Sequence, residues 1–163
     1  MRNGRALGID VGARRVGLAI SDATQTLARP LTTLSVTSTD DAVSRVTREI
    51  ERLMREDDAL VTIVVGLPVR LDGSPSDQTA RVEAFIQALA ARTPLPIVRA
   101  DERLTSREAE SRLAVGERDW RIRKTKLDAA SAAIILQDYL ERERLLEEAK
   151  GKGRKVKGKS KAR

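Results

Sequence analysis

The sequence predicts an α/β fold, a single mixed sheet of five strands with helices on its faces. Two observations carry this reading. The first 36 residues hold three strand-like segments joined by short connections, the pattern of antiparallel hairpins. After them, helical and strand-like stretches alternate twice before a long helix, which adds strands and layers of helix to the same sheet.

Each element follows from local pattern. Arg5 to Asp10 is short and apolar and ends in an acid; Gly12 to Arg15 makes a tight turn, and Val16 to Ser21 forms a second strand. Leu27 to Val36 is rich in Leu, Thr and Val, and Pro30 within it predicts an edge strand or a bulge. Asp40 or Asp41 caps the next helix, with Ala42, Val43, Val46, Ile50, Leu53 and Met54 on one face near a 3.6-residue period. Val61 to Gly66 is a β-branched run with little alternation, as expected of a strand covered on both faces. A Gly/Pro/Ser/Asp loop leads to a helix from about Ser76 that turns Val82, Phe85, Ile86 and Leu89 inward. Pro94 and Pro96 flank the approach to a last strand, Ile97 to Glu102. Thr105 and Glu108 form a capping box for a short helix through Leu113. The charged stretch Gly116 to Arg123 then separates it from a final helix, from about Thr125 to Ala149. Glu141 to Glu148 in that helix alternates charge, the mark of a solvated face.

The chain of 163 residues suits one domain. Trp120, Tyr139 and Phe85 are its only aromatic residues, so the core must be aliphatic, and stacking platforms for unpaired bases are scarce. There is no cysteine and no histidine. Disulfides, thiolate or imidazole metal sites, cysteine nucleophiles and Ser-His-Asp triads are thereby excluded. Any metal must be hard and oxygen-ligated. No apolar run is long enough to cross a membrane and the N-terminus lacks a signal-peptide pattern, so a cytoplasmic protein with no membrane partner is expected.

The net charge of +7 is unevenly placed. Lys150 to Arg163 carries eight basic residues and no acidic one; subtracting these leaves −1 on the remaining residues. The expected organisation is a folded domain over 1–149 and a disordered basic tail over 150–163. Such a tail suits phosphate attraction through counterion release, and equally a solubilising role.

Three acids stand where an acid is locally unwelcome. Asp10 ends an apolar strand, and alternation places it on the face shared with Gly8 and Gly12, where a ligand or a backbone can approach closely. The other reading is an acid capping a turn. Asp101 and Glu102 end the last strand in the same way; neighbours point to opposite faces, so one of the two can share the site of Asp10, and parity in the sequence does not say which. Asp128 opens the long final helix on a stripe with Ala132, Ile135 and Tyr139. It either faces a metal or pairs with Lys124 or Lys126. Three carboxylates from two strand ends and a helix suit Mg²⁺ or Mn²⁺, and such sets commonly hold two ions about 4 Å apart for phosphodiester cleavage.

Four segments, in order, carry a family resemblance: Gly8 to Gly12 continuing through Arg15 to Asp22; Val64 to Pro68 with Leu71 to Ser74; Asp101 to Ser106; and Asp128 to Gln137. Together they resemble the YqgF/RuvX family, the branch of the RNase H-like superfamily that is similar to Holliday junction resolvases. The resemblance implies an RNase H-like fold with the first three strands antiparallel and the two later strands parallel to the first. It implies a nuclease, with Asp10, Glu102 and Asp128 as catalytic and metal-binding set and Glu102 favoured over Asp101. Its implied role is maturation of the 5′ end of pre-16S ribosomal RNA, in ribosome biogenesis. Resolution of four-way DNA junctions in recombination, and a non-catalytic RNA-binding role on assembling ribosomal particles, are the alternatives. Arg14, Arg15, Arg103, Lys124 and Lys126 lie near the acids in sequence and are expected to hold nucleic-acid phosphates, although Arg103 and the lysines could equally pair with the acids. The helix start at Ser76 could receive a phosphate, unless capping uses its amides. Junction cutting would call for a homodimer; RNA processing is open to a monomer. An actin-like kinase, which opens on a similar Asp-x-Gly loop, is set aside because it needs two such lobes and this length has room for one.

Overall fold

The computed structural model describes residues 3–57, 59–101 and 120–159, with backbone alone for 57, 120–127 and 154–159. Strands β1 (Arg5–Val11), β2 (Arg15–Ser21) and β3 (Ala28–Ser35) are followed by α1 (Thr39–Asp57), β4 (Leu60–Leu67), α2 (Asp77–Ala90) and β5 (Ile97–Asp101); α3 (Trp120–Lys159) comes last among the described residues. The strands form one sheet in the order β3-β2-β1-β4-β5. β1 pairs antiparallel with β2, and β2 with β3, while β1–β4 and β4–β5 are parallel. This is the mixed sheet expected from the sequence.

β3 lies at one edge, and the β2–β3 register shifts between Leu18 and Ala19, where the partners change from Thr32 to Pro30. Pro30 thus marks both an edge and a bulge, because it has no amide to give the ladder.

The sheet buries two different faces. Leu7, Ile9, Val16, Leu18, Ile63 and Val65 pack under α1 and α2 with Val43, Val46, Phe85 and Leu89. On the opposite face Ala6, Ala19 and Val64 meet Ala132, Ile135, Leu136 and Leu140 of α3. Small residues dominate this second layer, so the α3 backbone can lie close to the sheet. A Cβ on Gly8 would stand 2.8 Å from Leu136 Cβ and 3.0 Å from the Ala132 carbonyl oxygen. The glycine at that position makes room for a helix rather than for a ligand.

Several element ends differ from the sequence reading. Ser38 caps α1: its Oγ accepts the Asp41 amide at 3.0 Å, and Asp41 reaches back to accept the Thr37 amide at 2.9 Å. Asp40 and Asp41 are therefore first-turn acids, favoured there by the helix dipole, and not the cap. Met54 is exposed, while its neighbour Leu53 packs against the core. α3 begins at Trp120 and continues to Lys159, past both predicted ends. Beyond Leu140 its surface is largely solvated; Lys150 to Gly153 are exposed, and a side chain placed at Gly151 or Gly153 would meet nothing within 4 Å. The predicted short helix from Thr105 lies outside the described residues. No helix among the described residues is long and apolar enough to cross a membrane.

Candidate functional site

Two of the three candidate acids come together at one end of the sheet. Asp10, half-buried near the end of β1, is paired across the ladder with Gly17 of β2. Residues opposite one another in an antiparallel pair share a face, and the face of Gly17 is the one α3 covers. A Cβ on Gly17 would overlap the Asp128 carbonyl group and come within 2.9 Å of the Ala129 amide nitrogen. The backbone of Asp128 therefore rests on the residue directly beside Asp10. From there α3 runs back over the sheet in the opposite direction to β1, reaching Gly8 with Ala132 and Leu136.

Asp128 lies in the third turn of α3, not at its start. Its placement is set by packing: the stripe it begins contains Ala132, Ile135 and Leu136, all buried, and this stripe is what fixes α3 on the sheet. Its carboxylate pairs with Arg15, whose Nε donates to Asp128 Oδ2 at 2.9 Å. Arg15 opens β2, two residues before Gly17 and on the same face. Because residue 17 has no side chain, nothing stands between the arginine stem and the helix. The sequence places Arg15 near the acids without pairing it to Asp128, for which it offers Lys124 or Lys126. A contact between residues 113 apart leaves no local signal. The side chains of Lys124 and Lys126 lie outside the described residues, as do Glu102 and Arg103.

Of the two acids that end the last strand in the sequence, the structure describes Asp101. Asp101 is the lateral partner of Leu67, which packs with the α1/α2 layer. Ile97 packs on that same layer, and Arg99 reaches Glu83 of α2 at 2.6 Å. Val98 and Ala100 face α3 instead. Asp101 thus stands on the face away from Asp10, where alternation of the strand puts it. Among the described residues no group of three acids is arranged to hold a metal. Asp10 and Asp128 contribute two carboxylates, and the chain has no cysteine or histidine, so the part of the site that is described fits a hard divalent cation.

Arg14 is exposed in the turn beside this end of the sheet; its carbonyl accepts the Val36 amide at 2.9 Å, which ties the turn to the strand-to-helix connection. The turn itself is closed by the Gly12 amide on the Arg15 carbonyl at 2.8 Å. The loop after β4 is also built from its own hydrogen bonds. Asp72 Oδ1 accepts the Ser74 amide at 2.9 Å, the Arg70 amide donates to the Ser74 carbonyl at 2.9 Å, and Gly73 takes φ 85°. At the start of α2, Ser76 and Thr79 form a capping box, and Thr79 Oγ1 donates to the Pro68 carbonyl. Capping therefore accounts for the helix start that sequence alone left open to a phosphate, and Ser76 is the cap, with Asp77 one residue inside.

Comparison with known proteins follows the same segments. A family model described as RuvX, Holliday junction resolvase, matches residues 4–142. A Chloroflexus aggregans protein named "Putative pre-16S rRNA nuclease" is 41% identical over 140 residues, which is 85% of this chain and 94% of that protein. A protein of the same name from Orientia tsutsugamushi is 40% identical over 136 residues, 83% of each chain. Among solved structures, T. thermophilus RuvC in complex with Holliday junction substrate aligns at a TM-score of 0.45 and 14% identity, covering 80% of this chain and 93% of that one.

Proposed function

Because the chain belongs to the RuvX family, we propose that it is a metal-dependent nuclease that matures the 5′ end of pre-16S ribosomal RNA. The observation that carries the site is the meeting of Asp10 and Asp128 across Gly17. The curated relatives, named for pre-16S rRNA, support the substrate. Glu102 is the third member of the proposed acidic set. Asp101 occupies the α1/α2 face, which leaves its neighbour in the sequence as the acid that alternation assigns to the α3 face.

Mg²⁺ or Mn²⁺, held by these carboxylates, would supply an activated water and charge stabilisation for the leaving oxygen. Asp10 and Asp128 contribute the hard oxygen donors, and the packing of α3 on Gly8 and Gly17 seats the Asp128 backbone on the residue paired with Asp10. Arg14, Arg15, Arg103, Lys124 and Lys126 are proposed to hold the phosphates of the substrate, with the basic segment 150–163 adding longer-range attraction. The reading is of a cytoplasmic protein, monomeric or homodimeric, that acts on structured RNA within ribosomal particles.

Resolution of four-way DNA junctions is the second reading, favoured by the description of the matching family. Cleavage of a 16S precursor leader RNA and of a four-way DNA junction, side by side with Mg²⁺ or Mn²⁺, separates the two. RNA is expected to be cut by the native protein and not by Asp10→Asn, which should keep the native melting temperature. A junction cut in place of RNA moves the resolvase to first place. Unchanged cleavage by Asp10→Asn removes the site assignment, and no cleavage of either substrate points to a binding role in ribosome assembly.

A further inference from the structure

We infer that Arg15 is the resident counter-ion of the acidic site, holding Asp128 beside Asp10 in the metal-free protein and yielding that position when a divalent cation binds. The inference rests on the acidic site proposed above. Its basis is the ion pair from Arg15 Nε to Asp128 Oδ2 at 2.9 Å, between side chains that are each 26% exposed. The two carboxylates are brought onto one face by elements that cannot easily part, since α3 is seated on the glycine paired with Asp10. Like charges held at such a place repel, and the repulsion is relieved by a cation set against one of them.

The oxygen that Arg15 engages is also a ligand oxygen for a hard cation. A guanidinium bonded to that oxygen and a divalent ion bound to the same carboxylate repel each other, so the two occupants are coupled negatively. Arginine keeps its charge throughout the accessible pH range. A cation that competes for the same carboxylate is therefore what dislodges it.

Mn²⁺ titration by calorimetry on the native protein, Arg15→Gln and Arg15→Lys tests this. Arg15→Gln is expected to bind Mn²⁺ about two- to fivefold more tightly, the range that a partly exposed ion pair contributes. It should also melt below the native protein in EDTA, with the gap narrowing at saturating Mn²⁺. Arg15→Lys keeps the cation and should stay within about twofold of the native affinity. Equal or weaker Mn²⁺ binding by Arg15→Gln overturns the inference, weaker binding meaning that the arginine orients Asp128 for the metal. A folded native protein that binds no Mn²⁺ removes the acidic site itself, and the inference with it. If Arg15→Gln does not fold, the Arg15 Nε–H resonance of the native protein gives the answer. It should move on addition of Mg²⁺ and return with EDTA, and a resonance that stays in place counts against displacement.

Discussion

Gly17 holds the candidate site together by having no side chain. It is the lateral partner of Asp10, and the seat on which the Asp128 backbone rests. In Gly17→Ala the new methyl meets main-chain atoms, which cannot rotate away, so α3 itself must lift. Overpacking of this kind costs about 1–3 kcal/mol, occasionally more. A melting temperature lower by roughly 3–10 °C is expected for a chain of this size. The displaced backbone belongs to Asp128, so cleavage should fall further than the loss of stability explains, when assayed well below the melting point. Gly151→Ala is the matched control, since nothing lies within 4 Å of its Cβ position, and its melting temperature should hold or rise slightly. At this scale the sequence was legible where the signal was local. Asp10 ending an apolar strand, flanked by glycines, was visible; the pairing of Arg15 with Asp128 was not, since it exists only once β2 and α3 are packed.

Helix ends and ion pairs set the behaviour of the elements. Ser38→Ala should cost about 1 kcal/mol, because the Asp41 amide loses its acceptor. Urea unfolding checks this, with an unchanged slope and a lower midpoint. Sequence reasoning chose Asp40 or Asp41 as this cap because Ser38, Thr39, Asp40 and Asp41 are all good capping residues in a row, and local preference cannot rank them. The start of α2 near Ser76 is legible from its apolar face, while the choice of Ser76 over Asp77 as the cap comes from the structure. Acid stability follows from the pairs along α1 and α2. Arg52 holds the Glu49 carboxyl below its ordinary value of 4.5, and Arg99 does the same for Glu83. Asp41 is lowered by the Thr37 amide and then by Arg45. A carboxylate with a lowered pKa in the folded state stabilises fully above the unfolded value and loses that contribution as pH falls through the folded one. The melting temperature should therefore be flat from neutral pH down to about 5 and decline below about 4.5. The double variant Glu49→Gln, Glu83→Gln should show a shallower decline, and an identical pH profile would mean these exposed pairs contribute nothing.

The whole molecule divides its labour between a folded body and a basic end. The antiparallel run of the first three strands is legible from their short connections; the parallel direction of the later two is what the family resemblance implies, and the order β3-β2-β1-β4-β5 comes only with the structure. The length of α3 was not legible, since Gly151, Gly153 and Gly158 weaken helix propensity and the lysines around them repel. α3 nevertheless continues 19 residues past Leu140, the last buried one among its described side chains, a reach of about 28 Å at 1.5 Å per residue. The eight basic residues from Lys150 onward thus begin away from the sheet, where a side chain at Gly151 or Gly153 would touch nothing. Removing 150–163 should leave the melting temperature within about 1 °C, because its described side chains, Lys150 to Gly153, are all exposed. RNA binding should respond differently. If half of those charges neutralise phosphates, the slope of log affinity against log salt should become shallower by about 3, with most of the loss in affinity felt at low salt. Cleavage at saturating RNA should survive, because Asp10 and Asp128 lie at the far end of the helix from the deleted charges. A truncated protein with the native salt slope would assign the phosphate contacts to the body, and Arg14 and Arg15 would be the first residues to test there.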